Sequence, residues 1–300
     1  MRRVWIPKPG KTELRPLGIP TISDRIVQEC VRNVIEPIAE GQFFEHSYGF
    51  RPMRSAHMAV TRIKKLNFIS KCYWVVEGDI KGFFDNIDHN VMIESLWALG
   101  IRDKRVLCII KQMLKAGVMG ECSTSDLGTP QGGIISPLLA NIYLNRFDNF
   151  ITSDFERKKL RKQYTSRDGE ITSMRNHSNL KTAYYVRYAD DWVILTDSKE
   201  DAEKLKYKAK RYLKDTLKLE LSEEKTLITN VKSKPIKFLG VEIKLVNKNG
   251  RWVNQVSPEK QRFKRKMESL SRELFMLRKT ATWDKDRLIQ NITRVNAIIV

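Results

Sequence analysis

Two adjacent aspartates, Asp190 and Asp191, interrupt an apolar, β-branched and aromatic run between Tyr184 and Thr196. Such a run predicts two paired strands that are largely buried. Burial and mutual repulsion both raise carboxylate pKa values, so an ionised pair at this position needs a neutralising cation. A divalent metal site is one interpretation. A polar hairpin tip is the other, because Asp is a common turn residue.

The net charge of the chain indicates which class of molecule it binds. The 300 residues include 55 Lys and Arg against 35 Asp and Glu, a formal net charge of +20, which indicates a polyanion and above all nucleic acid. A membrane surface is the alternative, but no segment approaches the ~20 apolar residues of a spanning helix. Pro7 and Pro9 fall where a signal peptide needs an apolar run. We therefore expect a cytoplasmic protein without membrane association.

The cysteines indicate neither a zinc site nor a disulfide framework. The four of them are widely spaced, and no two form a C-x-x-C pair. We expect them to be buried thiols.

The order of predicted elements between residues 73 and 229 matches an α+β fold. A strand beginning at Tyr73 carries Asp79 near its end, and helices, the Asp190-Asp191 hairpin, a charged helix and a short strand follow. This is the βαββαβ order of a ferredoxin-like unit, in which the first strand lies beside the hairpin. Asp79 would then approach the hairpin aspartates from a distant part of the sequence. Three converging carboxylates in a basic protein predict a two-metal phosphoryl-transfer site.

Other stretches add detail to this outline. The loop from Ser47 to Arg54 mixes arginines with aromatics, which suits a nucleic-acid surface. Residues 155–181 are charged and poor in apolar residues, and we expect a mobile basic insertion there. A hairpin is predicted to turn at Asn247-Lys-Asn-Gly250. Ser23 is predicted to be the N-cap of a helix, because apolar residues recur after it at helical spacing.

Seven short stretches along the chain form a specific series. They are Arg15-Pro-Leu-Gly-Ile-Pro20 with Asp24-Arg25-Ile26, Ser47-Tyr-Gly-Phe-Arg-Pro52 with Ser55-Ala-His57, Gly78-Asp-Ile-Lys-Gly-Phe-Phe-Asp85, Gly128-Thr-Pro-Gln-Gly132 with Ser136-Pro-Leu-Leu-Ala-Asn141, Arg187-Tyr-Ala-Asp-Asp191, Leu221-Ser-Glu-Glu-Lys-Thr226 and Phe238-Leu-Gly240. Any one of them could arise by chance, but seven in order could not. In these stretches the chain resembles the reverse transcriptase domain of group II intron-encoded proteins, the maturases.

The resemblance implies a right-hand polymerase fold. Residues 1–72 would form the fingers, residues 73–257 the palm with the basic insertion 155–181, and residues 258–300 the truncated start of a helical thumb. The family usually has a further N-terminal segment and a longer thumb region. We therefore expect a fragment at both ends.

The resemblance also implies an activity. The chain would be an RNA-directed DNA polymerase that copies intron RNA into cDNA by two-metal nucleotidyl transfer, and it would bind intron RNA to aid splicing and retrohoming. Its cofactor would be two Mg²⁺ ions, with Mn²⁺ as an alternative, and its partners the intron RNA template, a DNA primer or target and dNTPs, in the bacterial cytoplasm. A homodimer is compatible with the sequence but does not follow from it. The alternatives are an RNA-binding splicing module with little polymerase activity and another bacterial reverse transcriptase, of the retron or diversity-generating type.

The matched motifs suggest roles for individual residues at the catalytic centre. Asp79, Asp190 and Asp191 would bind the metal ions, with help from the Ile80 carbonyl. Lys225 would donate a proton to the leaving group, or alternatively form a salt bridge with a neighbouring glutamate, Glu223 or Glu224.

Further motif residues would contact the nucleotide and the nucleic acid. Phe84 would lie under the sugar and collide with a 2′-hydroxyl, with Phe83 as the alternative, and either ring could instead belong to the core. Gln131 would hydrogen-bond the nucleotide or the template, or else belong to a simple turn. The predicted triphosphate contacts are Lys8 and Arg15, and the predicted nucleic-acid contacts are Arg25, Arg51, Arg54 and Gly132.

Overall fold

Short strands alternate with helices through the chain, as the sequence pattern predicts. The computed structural model describes residues 2–7, 14–115, 127–129, 132–158, 160, 164–280, 289–290 and 292–296. The elements are β1 Arg2–Pro7, β2 Leu14–Ile19, α1 Ile22–Glu40, α2 Ala56–Ile69, β3 Trp74–Gly78, a 3₁₀ turn Phe83–Asp85, α3 His89–Ala98, α4 Lys104–Lys115, α5 Ser136–Thr152, α6 Arg167–His177, β4 Tyr184–Tyr188, β5 Asp191–Thr196, α7 Lys199–Leu217, β6 Leu227–Asn230, β7 Ile236–Phe238, β8 Val241–Lys248, β9 Arg251–Pro258 and α8 Lys260–Thr280.

The central sheet has four antiparallel strands in the order β4-β5-β3-β6. Gly78 of β3 pairs with Trp192 of β5, and Trp74 pairs with Thr196. Helices α3 to α6 connect β3 to β4, and α7 connects β5 to β6. This is the strand order of a ferredoxin-like βαββαβ unit. The predicted α+β palm is therefore confirmed.

Helix α5 runs through the interior of the palm and is buried on almost every side. Its sequence is apolar all round, which suits a helix enclosed by other elements. The ring of Phe147 packs against Trp192, with ring centroids 5.3 Å apart, and against Tyr185 at 5.8 Å. Each aromatic ring of this kind buries ~150–250 Å². The cluster therefore holds the sheet on the helix.

Helix α1 starts earlier and faces differently than its apolar pattern suggests. Its N-cap is Thr21, which exchanges capping hydrogen bonds with Asp24, so the predicted cap at Ser23 is wrong. Val34 is 64% exposed and Ile26 60%. The spacing of apolar residues predicts the helix but does not say which face packs. The buried residues of α1 are Gln28, Ile35 and Ala39.

The described part of residues 155–181 contains helix α6 and is anchored by a few buried side chains, while most of its other residues are partly or fully exposed. The mobility of this insertion stays a prediction. Phe155 and Met174 are completely buried. The buried Glu156 carboxylate accepts a hydrogen bond from Arg62 of α2 at 2.7 Å, and burial raises the pKa of Glu156 to about 7. The charged composition of the segment conceals these anchor residues, because two or three buried side chains suffice to dock a short segment.

A second sheet of three strands, β7-β8-β9, follows the four-stranded sheet in the chain. Strands β8 and β9 are joined at the predicted hairpin, where Asn249 has φ 50° and Gly250 has φ 80°. Positive φ at both central residues is typical of a two-residue hairpin turn. The domain boundaries at residues 72 and 257 stay predictions.

The cysteines only partly follow the prediction. Cys72 is buried, but Cys30 and Cys108 are exposed, and Cys122 lies outside the described residues. Cys30 is exposed because it lies on the solvent side of α1. Within the described part of the chain, no helix is long and apolar enough to cross a membrane.

We expect Gly78→Ala to lower the free energy of unfolding by about 1–3 kcal/mol, the usual range for overpacking a core. A Cβ at Gly78 would lie 2.1 Å from Cζ2 of Trp192, a side chain only 1% exposed. Urea denaturation measures the change. Gly250→Ala is the control: among the described residues its Cβ meets nothing within 4 Å, so only strain from its positive φ of about 1 kcal/mol remains. Equal losses in the two variants would contradict the packing argument.

Candidate active site

Asp79 and Asp191 lie at the same end of two paired strands. Asp79 directly follows β3, and Asp191 opens β5. Because Gly78 pairs with Trp192, one further step along the antiparallel register sets Asp79 opposite Asp191. Asp190 precedes Asp191 in the turn between β4 and β5. The strand pairing thus brings together the three carboxylates that the sequence analysis predicts to converge.

Asp191 is perturbed by its burial and by the two neighbouring carboxylates. The pKa of Asp191 is raised to about 6, chiefly by burial and further by the charges of Asp190 and Asp79. The ammonium of Lys225 works in the opposite direction. A raised carboxyl pKa in a cluster of like charges indicates a place where a cation is favoured.

Lys225 supplies positive charge to this cluster. Its ammonium donates a hydrogen bond to Asp79 at 2.8 Å, and this bond is the largest cause of its raised pKa. The alternative of a salt bridge with a neighbouring glutamate is wrong for Glu223, which pairs with Lys206 and Lys210 of α7 instead. Lys225 therefore belongs to the carboxylate site.

The Ile80 carbonyl is directed toward the same site. Lys81 N–H donates to the Glu220 carbonyl at 2.8 Å, and Ser222 N–H donates to the Asp79 carbonyl at 2.9 Å. Backbone groups alternate sides along an extended chain, so the carbonyl of Ile80 points away from this neighbour and toward the β5 side. Its position is compatible with a backbone ligand.

The donor set suits a hard divalent cation. Carboxylate and carbonyl oxygens are the ligands that Mg²⁺ and Mn²⁺ prefer, and the raised pKa of Asp191 marks a deficit of positive charge. In the described residues, no group of three His, Cys, Asp or Glu side chains is close enough together to hold a metal ion as arranged. The oxygen donors of these residues fit such an ion chemically. To bind it, the carboxylates have to move closer together, and the ammonium of Lys225 has to leave Asp79.

A completely buried ion pair supports the turn that carries Asp190. Arg187 of β4 donates two hydrogen bonds of 2.7 Å to Asp148 of α5, and both side chains are 0% exposed. A further guanidinium nitrogen donates to the carbonyl of Ala189 and to the side chain of Asn141, each at 2.9 Å. Sequence analysis missed this support. The available signal is an arginine inside a buried strand and an aspartate inside an apolar helix, each of which needs a partner.

The turn that carries Asp190 packs against the loop that follows α1. Ala189 has φ 55°, and a Cβ at Gly49 would lie 2.2 Å from the Ala189 nitrogen. Gly49 is therefore required by close approach of the two backbones. Its carbonyl accepts a hydrogen bond of 2.8 Å from Asn141, which joins the loop to the support of the turn.

The two adjacent phenylalanines have different environments. Phe83 is 3% exposed and packs edge-on against Tyr143, with centroids 6.3 Å apart. Its predicted role as the alternative nucleotide contact is wrong, because the ring is enclosed by the core. Phe84 is half-buried, and its carbonyl accepts from Thr129 N–H at 2.8 Å. Phe84 is thus the phenylalanine with a face available beside the glycine-rich segment.

Arg51 is interior, so the prediction that it contacts the template backbone is wrong. Its residue is 7% exposed, and its guanidinium binds Glu40 and the carbonyls of Phe44 and Ser47. With these bonds made, the guanidinium has no room for a phosphate. Arg51 instead fixes the loop to α1.

The remaining predicted contacts are placed less fully. Arg25 is exposed, and Arg54 and Gly132 are partly exposed. The backbone of Arg15 lies in β2, but its side chain is not among the described atoms. Lys8 and Gln131 lie outside the described residues.

A cleft of about 350 Å³ opens beside the carboxylates. It lies between the catalytic end of the palm sheet and the second sheet. Its lining includes Asp79, Asp191, Lys225, Phe238 and Leu239. The carboxylates therefore face a space that a ligand can enter.

The strand order, the buried α5 and the carboxylates at the end of β3 and β5 define the palm of a right-hand nucleic-acid polymerase. The family model for reverse transcriptase (RNA-dependent DNA polymerase) matches residues 6–243. The chain belongs to the reverse transcriptase family. Enzymes of this family use divalent metal ions.

Similar proteins include group II intron-encoded protein LtrA of Lactococcus lactis subsp. cremoris, which is 39% identical over 284 residues, covering 82% of this chain and 47% of LtrA. Protein YkfC of Escherichia coli (strain K12) is 37% identical over 265 residues, covering 84% of this chain and 68% of YkfC. The apo telomerase of Candida tropicalis shares the fold, with a TM-score of 0.64 at 13% identity over 99% of this chain and 51% of the telomerase. This chain spans about half the length of LtrA.

We expect Asp191→Asn to raise the free energy of unfolding at pH 7.5 in EDTA by about 2 kcal/mol. The pKa of Asp191 in the folded protein, about 6, lies above the ordinary aspartate value of 3.8, so the penalty on the ionised carboxyl is full above about pH 6 and fades between pH 6 and pH 3.8. As pH falls through this window, protonation removes the penalty, and the difference between variant and wild type should vanish near pH 4.

Urea denaturation at several pH values measures this difference. Asp215→Asn, at an exposed position of α7, is the control and should stay within about 0.5 kcal/mol of wild type. A variant Asp191→Asn that is less stable than wild type at pH 7.5 would contradict the charge cluster.

Proposed function

We propose that the chain is the polymerase part of a group II intron-encoded reverse transcriptase and maturase. It copies intron RNA into cDNA from a DNA primer and dNTPs, and it binds the same RNA to aid splicing and retrohoming in the bacterial cytoplasm. The observation that carries the proposal is the pairing of β3 with β5, which sets Asp79 opposite Asp191. The similarity to LtrA favours the intron class over retron or diversity-generating types.

Asp79, Asp190 and Asp191, with the Ile80 carbonyl, would hold two Mg²⁺ ions, or Mn²⁺ in their place. Bound there, the ions would supply Lewis-acid chemistry that favours ionisation of the primer 3′-hydroxyl and neutralises charge on the leaving pyrophosphate. The protein contributes carboxylates whose backbone positions are fixed by the pairing of β3 with β5, and the side chains close on the ions when these bind. Asp191 has to be ionised for this role, and a bound cation would favour its ionised form.

Lys225 donates a proton to the leaving pyrophosphate. Its hydrogen bond to Asp79 raises its pKa and keeps the ammonium protonated at neutral pH. The ammonium has to leave Asp79 before it can reach a leaving oxygen. Its location on the border of the cleft makes this movement short.

The nucleotide is held by residues around Phe84. The half-buried Phe84 ring lies under the sugar and excludes a 2′-hydroxyl, and Lys8 and Arg15 bind the triphosphate. Gln131 hydrogen-bonds the nucleotide or the template. The support for this arrangement is the contact between Phe84 and Thr129, which places the glycine-rich segment against the phenylalanine.

Nucleic acid is bound through the basic surface. Arg25 and Arg54 contact phosphates, and Gly132 allows close approach of the backbone. The net charge of +20 supports this role, and the resulting affinity should be salt-dependent and independent of sequence.

One observation favours the second candidate, an RNA-binding splicing module with little polymerase activity. The ammonium of Lys225 already neutralises Asp79, and no ready metal cluster exists among the described carboxylates. A module of this kind would bind intron RNA equally well with or without divalent ions. The two candidates differ in whether the aspartates matter for extension.

We expect Asp190→Ala and Asp191→Ala to reduce primer extension on an RNA template with Mg²⁺ by at least about 100-fold, because each removes charge from the site of phosphoryl transfer. Extension assays on a chain that includes the complete thumb measure this. Affinity for intron RNA should stay within a few-fold of wild type. Asp215→Ala, at an exposed position, is the control. Extension that survives both substitutions would contradict the polymerase, and joint loss of RNA binding would contradict separate roles.

We expect Phe84→Ala to shift sugar selectivity toward ribonucleotides by at least about tenfold, because it removes the ring that meets the 2′-hydroxyl. Single-nucleotide incorporation gives kcat/KM for dCTP and CTP. Phe83→Ala is the matched control: it should cost about 3–5 kcal/mol of stability and leave selectivity unchanged. An unchanged ratio in Phe84→Ala would remove this residue from the sugar contact.

A further inference from the structure

The loop after α1 holds two large apolar side chains in an unfavourable backbone conformation and leaves both in solvent. Phe50 has φ 58° and is 49% exposed, and Met53 has φ 57° and is 95% exposed. Residues with a Cβ rarely take this left-handed conformation, because the Cβ crowds the following carbonyl. With almost all of the Met53 side chain in water, packing recovers little of the cost at that position. Strain of this kind persists where the conformation serves a function.

The buried Arg51 lies between the two strained residues and fixes the loop there. Its guanidinium binds the Glu40 carboxylate and donates to the carbonyls of Phe44 and Ser47 at 2.6 and 2.8 Å. The tight turn that follows is closed by Arg54 N–H on the Arg51 carbonyl at 3.4 Å. Proline at its second position and positive φ at its third are features of a type II turn, in which the third residue is usually Gly. Here the third residue is Met53, on a rigid base.

The loop lies directly against the turn that carries the aspartates. Because a Cβ at Gly49 would lie 2.2 Å from the Ala189 nitrogen, the Cα of Phe50 lies within about 8 Å of that atom. Asp190 is the next residue after Ala189. A ligand that touches Phe50 is therefore at the border of the carboxylate site.

We propose that Phe50 and Met53 form a stacking platform for an unpaired nucleobase of the template strand where this strand enters the active site. This inference rests on the proposed function. A rigid aromatic face stacks on any base, so the contact is tolerant of sequence, as template copying requires. A base inside a duplex is already stacked on both faces, which selects an unpaired base as the ligand. Arg54 lies in the same loop, over the ring of Tyr48, and supplies positive charge for the neighbouring phosphate.

The platform predicts opposite effects of Met53→Gly on stability and binding. Met53→Gly removes the strain at positive φ and almost no packing, so it should raise Tm by a few degrees, whereas Phe50→Gly also removes the buried half of the ring and should leave Tm unchanged or lower. The same changes should weaken binding of a primer–template with an unpaired 5′ template overhang by about tenfold or more. Affinity for a blunt duplex should stay unchanged. Phe50→Tyr keeps the ring and should keep wild-type affinity.

The binding experiment uses a primer–template with 2-aminopurine at the first unpaired template position, whose fluorescence is quenched by stacking. Phe68→Ala removes another exposed phenyl ring, which is 65% exposed at the end of α2, and is the matched control expected to behave as wild type. Loss of Tm in Met53→Gly would overturn the strain argument. Unchanged overhang affinity, or an equal loss for the blunt duplex, would overturn the platform.

The two proposals fail in distinguishable ways. Wild-type protein that quenches the 2-aminopurine but extends no primer would remove the polymerase function and leave the stacking contact standing. Wild-type protein that extends primers while Phe50→Gly and Met53→Gly bind the overhang normally would remove the platform alone.

Discussion

The buried ion pair between Arg187 and Asp148 is the interaction on which the rest of the site depends. Removing two charges from water costs several kcal/mol for each ion, and only close contact with all donors satisfied repays it. Here the guanidinium reaches Asp148, Asn141 and the Ala189 carbonyl together. Two of these partners lie on α5 and the third in the turn, while Arg187 itself lies on β4, so α5, β4 and the turn have to be assembled at once. Through Asn141, the same network holds Gly49 against the turn.

The carboxylates next to this ion pair lie in positions where the ionised form of Asp191 is unfavourable. Burial and like charges raise the pKa of Asp191 to about 6, and Lys225 relieves part of this repulsion. A folded protein gains nothing in stability from such a cluster, which is typical of sites whose geometry serves binding or catalysis. The rigid sheet and α5 supply the stability that the cluster lacks. Phe50 and Met53 follow the same logic, with strain tolerated on a base fixed by Arg51.

Much of the palm was predictable. The βαββαβ order follows from element types and lengths, and the ferredoxin-like topology then places Asp79 near Asp191. The errors share a cause. Arg51 is basic, lies in a loop and looks available, yet it is buried by bonds to Glu40 and two carbonyls. The apolar residues of α1 look like a core face, yet most lie in solvent. The residue type gives the chemistry of a side chain but does not say which residue it contacts in the folded protein.

The amino-acid sequence alone determines the features that depend on residues close together in the chain. The β-branched residues favour the strands β3 and β5, and Asn249 with Gly250 forms the hairpin turn because such residues accept positive φ readily. Packing decides which of two chemically equal residues faces inward, as with Phe83 and Phe84. It also decides partners that are far apart in the chain. Lys225 meets Asp79 across 146 positions, and Arg187 meets Asp148 across 39. These contacts exist only once the chain is folded, because burial makes an unpaired charge unfavourable and so selects the partner that tertiary structure brings within reach.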